Sequence, residues 1–430
     1  MESDLTIVGS GILGLSFAYW ISKLYDLKSV VVERENEVAA HTSGRNSGVI
    51  HRPFYLHPEK KRISALTAQL SFRKFWIKYL KEHKIPWAQV GTLEVALYES
   101  DLKVLKEYVK WGLRNGMGDK ELELLDHIQV KTMEPNIECK GALYCRTDSV
   151  VSYRNICQHL QQEAKANGIR FLMNSEVMSI RPHKGGLDLF INGLSYPFYT
   201  RYLINCAGGE SLKMAHKMGV GLDYTDLHFR GEYWLVDHSL GGSIKRNVYS
   251  VPIYKEFPFL DPHLLIRVDQ KREIGPNAVL VAGPRTYRGI ATSPIELIKK
   301  MTERPLLNML RLFSSKNFIE MVSKEWSTSF SKEKMCAKVH RFIPRLRSKH
   351  LIGKGVAGIR SSVIDRNGFL FEAVELETCN SYHITNFNSP GATGAPAYAA
   401  YIIYKLISKG ALPRPTKRSD QFDDILSEFC

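Results

Sequence analysis

The chain has 430 residues, a 44% hydrophobic fraction and a formal net charge of +15 at pH 7. That length exceeds the roughly 250–300 residues at which one core stops growing, so two domains are expected, and the composition is that of a globular protein rather than a fibrous or disordered one. Lys and Arg alternate with acids along the chain instead of clustering, which argues against nucleic-acid binding and leaves a positive field suited to an anionic cofactor, substrate or membrane surface.

The first thirty residues form a complete unit. Leu5–Val8 reads as a short apolar strand, and Gly9, Gly11 and Gly14 follow in G-x-G-x-x-G spacing. Gly9 permits the tight turn, Gly11 lets a pyrophosphate approach the backbone, and Gly14 lets the next helix pack close. The flanking Ile12 and Leu13 begin that helix, whose N-terminus favours an anion. Ser29–Val32 is a second strand ending at Glu33 and Arg34, with Glu33 nineteen residues after Gly14. An acid there accepts hydrogen bonds from ribose hydroxyls and repels a 2′-phosphate, which favours FAD or NAD over NADP. Glu2 and Asp4 stand where a secretory leader would be basic, so the apolar run is not expected to be a signal.

Residues 41–55, HTSGRNSGVIHRPFY, are dense in donors and then turn apolar. Thr42, Ser43, Arg45, Asn46, Ser47 and Gly48 are candidates to line the pyrophosphate and the cofactor edge. Residues 59–85 have helical spacing, with Phe72, Phe75, Trp76 and Tyr79 as core rather than cofactor contacts. Gly91–Tyr98 alternates as a strand, Asp101–Arg114 is an amphipathic helix, Leu143–Tyr153 starts or joins a further sheet, and Arg154–Ala166 returns as a helix. Two strands follow in 167–181. Tyr202–Gly209 is a buried strand ending in small residues, Cys206, Ala207 and Gly208, against which a nucleotide can lie. FRGEYWLVDH, NVYSVPIY, HLLIRVD and AVLVAGPRT supply strands of an antiparallel sheet between 228 and 288. Residues 291–325 read as two helices, Leu351–Val363, Phe369–Val374 and Tyr382–Asn386 as strands, and Ala395–Leu406 as an apolar helix after the glycine-rich 388-NSPGATG-394.

The seven cysteines form no CxxC pair and no cluster with histidine, which points to reduced thiols, a cytoplasmic location and no metal. Lys60, Lys61, Arg62 and Arg414, Lys417, Arg418 are read first as solvated surface, with peripheral membrane contact as the alternative.

Together, 9-GSGILG-14, Glu33 and 42-TSGRNSGVIH-51 resemble the flavoprotein family of D-amino acid oxidase, glycine oxidase and glycerol-3-phosphate dehydrogenase. Within it they are most similar to the L-2-hydroxyglutarate dehydrogenase/oxidase branch. The resemblance continues through 141-GALYCRTDSVVSYRNIC-157, 229-FRGEYW-234, 275-GPNAVLVAGPRTYRG-289, 356-VAGIRSSVIDRNG-368 and 386-NFNSPGATGAPA-397, so it covers almost the whole chain. It implies an α/β fold, with a Rossmann-like FAD-binding domain of the GR2/D-amino acid oxidase type and an interleaved antiparallel-sheet substrate domain. The expected division is 1–90, 150–215 and 350–412 for FAD, 91–149 and 216–349 for substrate, and 413–430 as a tail.

The resemblance also implies non-covalent FAD, with Val177 contacting adenine, Gly358 and Ile359 touching the flavin, and Pro390, Gly391, Ala392 and Thr393 presenting a helix start to the flavin ring. The implied reaction is oxidation of a small anionic 2-hydroxy acid, L-2-hydroxyglutarate, with quinone or dioxygen as acceptor. Such chemistry needs a base, for which His51 is the candidate. It also needs guanidinium groups for carboxylates: Arg360 first, then Arg230 and Arg285, with Tyr233 and Tyr287 as hydroxyl donors. Arg230 has the alternative of a structural pair with Glu232. Arg52 and Pro53 depart from the small residues usual after NSGVIH, which puts the pocket wall there in question. An amino acid or glycerol-3-phosphate oxidoreductase, and a flavin-binding assembly factor without turnover, remain open as alternatives.

Overall fold

A computed structural model describes residues 2–253, 257 and 261–429; Tyr254 at the end of NVYSVPIY and the thiol Cys430 lie outside the described residues. The first sheet has eight strands and begins where the sequence does. Glu2–Val8 is flanked in parallel by Ser29–Val32, Val8 pairing with Val32, and by Phe198–Asn205, Val8 pairing with Asn205. Arg170–Leu172 extends one edge, Gly186–Ile191 and Val177–His183 the other, and Ser381–Thr385 joins Phe198–Asn205 in parallel. Val30, Val31 and Val32 are all buried, as expected of strands covered on both faces.

In the helix Ile12–Leu24 every residue except Lys23 is buried. Such a helix must be covered all round. Its cover is the last long helix, Gly391–Ser408, to which Trp20 donates a 2.8 Å hydrogen bond at the Pro396 carbonyl. The stretch 62–82 is helical throughout but widens into a π turn at Ser71–Trp76, and Trp76 Nε1 there donates to the Thr393 carbonyl at 2.6 Å.

A second eight-stranded sheet runs in the order Leu351–Lys354, Trp234–Val236, Arg272–Gly275, His263–Ile266, Asn247–Ser250, Thr92–Ala96, Gly141–Cys145, Leu122–Asp126. All its neighbours are antiparallel except Asn247–Ser250 beside Thr92–Ala96. A four-stranded sheet, Val279–Val281, Thr225–Gly231, Gly358–Asp365 and Gly368–Phe369, and a three-stranded one, Val49–Ile50, Ser149–Val151 and Trp87–Gln89, stand between the large sheets in the chain order.

Four details differ from the sequence reading. The segment after 291 holds four helices, Pro294–Met301, Leu306–Phe313, Lys316–Phe330 and Lys332–His340, because Pro305 and the Ser315 and Ser331 caps break what reads as longer runs. Arg272–Gly275 is a strand that its charged residues conceal. Phe369–Val374 is not one strand: pairing stops at Phe369 and resumes at Val374–Thr378. The tail is anchored, since Asp420–Leu426 is a helix whose Phe422 packs 5.5 Å from Trp20. No helix among the described residues is long and apolar enough to cross a membrane.

Candidate active site

One long cavity runs from the glycine turn to the ends of the antiparallel strands. At the turn, Gly9 has φ +99°, and a Cβ on it would meet the Cys206 carbonyl oxygen at 2.5 Å. A Cβ on Gly14 would sit 1.9 Å from the Gly9 carbonyl oxygen. Gly14 is therefore a packing residue behind the cavity wall, whereas Gly9, Gly11, Ile12 and Leu13 line it. The helix that starts there has Gly11 at its N-cap and Ser43 Oγ accepting from Ile12 N at 2.9 Å, and these residues line the cavity, so the positive end of its dipole faces it. Glu33 is held rigidly: its carboxylate accepts from Ser10 N at 2.7 Å, Ser10 Oγ at 2.8 Å and Glu35 N at 3.0 Å.

Arg34, Val177, Cys206, Ala207 and Gly208 complete this end, and Thr42, Ser43, Arg45, Asn46 and Ser47 line the middle. Gly48 does not; its φ of +71° and the nearby Val151 carbonyl place it in the turn beneath. Gly358, Ile359 and Pro390 to Thr393 line the far end, where the helix Gly391–Ser408 begins without a side-chain cap. Two helix starts that face the cavity, the carboxylate of Glu33 fixed beside the first of them and backbone bared by glycine fit FAD.

The far end carries the candidate chemistry. The pairing of Val49 with Val150 and of Ile50 with Ser149 brings the residue after one strand beside the residue before the other. His51 Nδ1 consequently lies 3.5 Å from Asp148 Oδ2. Asp148 is itself fixed, accepting from Arg52 N at 2.8 Å and from Thr92 Oγ1 at 2.7 Å. Around the His51 ring stand Tyr55 and Tyr249, edge-on at 6.0 and 5.9 Å, and His263 stacks on Tyr249 at 3.8 Å. Burial pushes the His263 imidazole down to about 3, so it is neutral at ordinary pH. The Tyr249 hydroxyl is buried, belongs to a cavity-lining side chain and has no hydrogen-bond partner among the described residues.

Arg360 and Tyr233 line the same end. Burial lowers the Arg360 pKa, with the Tyr233 and Tyr55 hydroxyls acting in the opposite sense, and a guanidinium remains protonated in either case. Its charge is felt by Lys61, which burial first and Arg360 second bring down to about 8.

Three of the expected substrate contacts lie elsewhere. Arg230 is turned away from the cavity, because Phe229 and Gly231 take the inward positions of its strand. Its guanidinium pairs with Glu232 at 2.9 Å and donates to the Thr286 and Gly289 carbonyls at 3.1 and 2.6 Å, which ties down the 282–290 loop. Arg285 is half exposed and approaches Glu210 at 3.7 Å. Tyr287 stacks on His41, its hydroxyl 2.6 Å from His41 Nδ1, and the Arg45 guanidinium lies over its ring at 4.4 Å from the centroid. Arg52, fully buried, pairs with Glu121 and donates to Gln69 at 2.8 Å, and neither it nor Pro53 lines the cavity.

The sequence reading passed over Asp148, Tyr55, Tyr249 and His263. Asp148 lies within 141–157 and Tyr249 within NVYSVPIY, but only strand register reveals that they meet His51.

The family model described as FAD dependent oxidoreductase matches residues 4–405. The chain belongs to that family. Its cofactor is FAD, and it is an oxidoreductase. It is similar to a human protein named "L-2-hydroxyglutarate dehydrogenase, mitochondrial", 30% identical over 93% of this chain and 87% of the relative. It is likewise similar to an L-2-hydroxyglutarate dehydrogenase of Indibacter alkaliphilus, 28% identical over 92% of this chain and 96% of the relative. Among solved structures, FAD-bound L-alpha-glycerophosphate oxidase from Mycoplasma pneumoniae superposes with a TM-score of 0.72 at 22% identity, covering 98% of this chain and 97% of that one. Glycine oxidase from Geobacillus kaustophilus gives 0.68 at 15% identity, covering 97% and 96%. These last two likenesses establish the shared fold.

Proposed function

We propose that this protein oxidises L-2-hydroxyglutarate to 2-oxoglutarate, with FAD bound non-covalently and the electrons passed on to quinone or dioxygen. The observation that carries the reading is the His51–Asp148 pair at the same enclosed end of the cavity as Arg360. Bound FAD supplies, at N5, the acceptor for the hydride leaving the substrate Cα. Asp148 holds His51 at Nδ1, which leaves Nε2 to take the proton of the substrate hydroxyl. Arg360 supplies the planar fork that grips a carboxylate, and the Tyr249 and Tyr233 hydroxyls are placed to donate to the remaining oxygens. Enclosure by Tyr249 and His263 keeps water from competing for those donors.

The relatives' names support the five-carbon diacid over the glycerol phosphate and amino acid alternatives. The division of the chain into FAD segments 1–90, 150–215 and 350–412 and substrate segments 91–149 and 216–349 belongs to the same reading, as does a cytoplasmic location. Anaerobic mixing of the holoenzyme with L-2-hydroxyglutarate is expected to bleach the flavin absorbance, and denaturation by acid to leave the yellow colour in the supernatant. Bleaching by glycerol 3-phosphate or an amino acid but not by L-2-hydroxyglutarate would overturn the substrate. Colour that stays in the pellet would overturn the non-covalent link.

A further inference from the structure

A row of buried polar side chains leads away from the cavity wall at Ser361. Strand pairing sets Ser361 directly opposite His228, so both side chains leave the sheet on one face. Arg360 leaves on the other, beside Phe229. The cavity takes in both faces here: residues 358–361 all line it, and Gly368–Phe369 extends the sheet only beside Ile364 and Asp365. A Cβ on Gly209 would come within 2.6 Å of Ser361 Oγ and 2.4 Å of Pro284 Cβ, and Gly209 and Pro284 line the cavity too.

The polarity of this row is fixed from its inner end. Ser361 Oγ is 2.8 Å from His228 Nδ1, and His228 Nε2 is 3.4 Å from Asp226 Oδ1. Lys300 Nζ donates to the same Asp226 oxygen at 2.7 Å and to Glu303 at 2.6 Å. Burial brings the His228 imidazole down to about 4, against the pull of Asp226, so the ring is neutral and carries one N–H. Asp226, facing the Lys300 ammonium, is a carboxylate that can only accept. The ring proton therefore sits on Nε2, and Nδ1 is an acceptor that the Ser361 hydroxyl satisfies. With its proton so committed, Ser361 Oγ has only lone pairs left for a group in the cavity, and that group must be a donor.

We propose that Ser361 is a cofactor-binding residue that accepts a hydrogen bond from a hydroxyl of the FAD ribityl chain, and that His228 is the positioning residue that holds its proton out of the way. The ribityl chain is the run of hydroxyl donors between the nucleotide and the flavin ring. Ser361 lies between the corresponding ends of the cavity. Gly209 beside it follows the small residues of the nucleotide half, while Asn388 of the far end donates to the Ser361 carbonyl at 3.0 Å. The inference rests on FAD as cofactor and needs no assumption about the substrate.

Release of flavin from the diluted holoenzyme, followed by its recovering fluorescence, reads this contact. Ser361→Ala is expected to release FAD about tenfold faster, the worth of one buried hydrogen bond, with circular dichroism unchanged. His228→Phe should release it about threefold faster, and the double variant no faster than Ser361→Ala alone, because both act through one hydroxyl. His228→Asn, whose amide oxygen takes the place of Nδ1 as acceptor, should restore most of the loss. The second arm loads the protein with FAD lacking the 2′, 3′ or 4′ ribityl hydroxyl. One of the three should leave the unaltered protein about tenfold faster than FAD does, yet leave Ser361→Ala no faster than FAD. Equal release of FAD by Ser361→Ala and the unaltered protein would overturn the proposal. So would losses with all three analogues that are as large in Ser361→Ala as in the unaltered protein. Normal FAD release by Ser361→Ala with a raised substrate requirement for flavin reduction would also overturn it, because Ser361 would then face the substrate. If L-2-hydroxyglutarate fails to bleach the flavin, every release rate is still readable, so either reading can fail alone.

Discussion

His51 Nδ1 and Asp148 Oδ2 stand 3.5 Å apart across two paired strands, and Asp148 has no rotational freedom because Arg52 N and Thr92 Oγ1 hold both of its oxygens. An imidazole so held presents Nε2 to the cavity in one orientation. Asp148→Asn is expected to retain FAD and fold while slowing anaerobic flavin reduction about 10²–10⁴-fold, the usual worth of a positioned base. His51→Ala should lose about as much, and the double variant little more, because the two act as one unit. Additive losses measured by stopped-flow absorbance would show that they act independently.

Arg360→Ala removes the guanidinium from the enclosed end. The expected effect is a rise in the substrate concentration for half-maximal flavin reduction of about 10–100-fold, from the 1.5–3 kcal/mol typical of a charged hydrogen bond. Arg360→Lys should recover part of this, because it restores charge without the fork. A titration in which Arg360→Ala binds substrate as tightly as the unaltered protein would remove Arg360 from the site.

Tyr249 carries a buried hydroxyl without a partner among the described residues. Tyr249→Phe should therefore leave thermal stability unchanged or slightly raised, since an unsatisfied buried polar group is a cost. Substrate affinity should fall about tenfold. Loss of stability together with unchanged affinity would mean that the hydroxyl serves the fold.

Arg230 should behave in the opposite way. Its replacement by Met leaves Glu232 buried beside fewer donors and frees the Thr286 and Gly289 carbonyls, so a destabilisation of about 3–5 kcal/mol is expected in urea unfolding. Substrate affinity of the folded fraction should not change.

Glu94, buried on Thr92–Ala96, has its carboxyl pushed up to about 8 by burial first and then by the charges of Asp148 and Asp261. An acid raised in the folded state keeps its proton while the unfolded chain loses it, so its contribution to stability is present below the unfolded pKa and is lost as pH rises toward 8. Between pH 7.5 and 8 unfolded imidazoles are largely deprotonated, so the buried His263, His228 and His383, depressed to about 3, about 4 and about 4, contribute little opposing slope. Glu94→Gln is expected to reduce the fall of unfolding free energy over that window by up to about 1.4 kcal/mol per pH unit. An unchanged slope would show Glu94 ionised in the fold.

The sequence by itself determined the parts of this protein that are local. Gly9, Gly11, Gly14 and Glu33 define their turn through spacing along one strand-turn-helix-strand unit, and the cavity-lining run from Thr42 to Ser47 follows it directly. The helix start at Pro390–Thr393 is legible as a glycine-rich turn before an apolar run, while its role toward the flavin came from the resemblance. What only the tertiary structure decided is direction and partnership. Arginines at 230, 285 and 360 look alike in sequence, yet side chains alternate across a strand, so Phe229 and Gly231 take the inward places and send Arg230 to the back of the sheet. Asp148 becomes the partner of His51 only through the register Ile50 with Ser149. Residues 291–325 read only as helices, and it takes the fold to show that Asn308 claims the inward position of Leu306–Phe313. Periodicity specifies that a helix or strand has two faces; which face meets the protein is fixed by contacts between residues far apart in the chain.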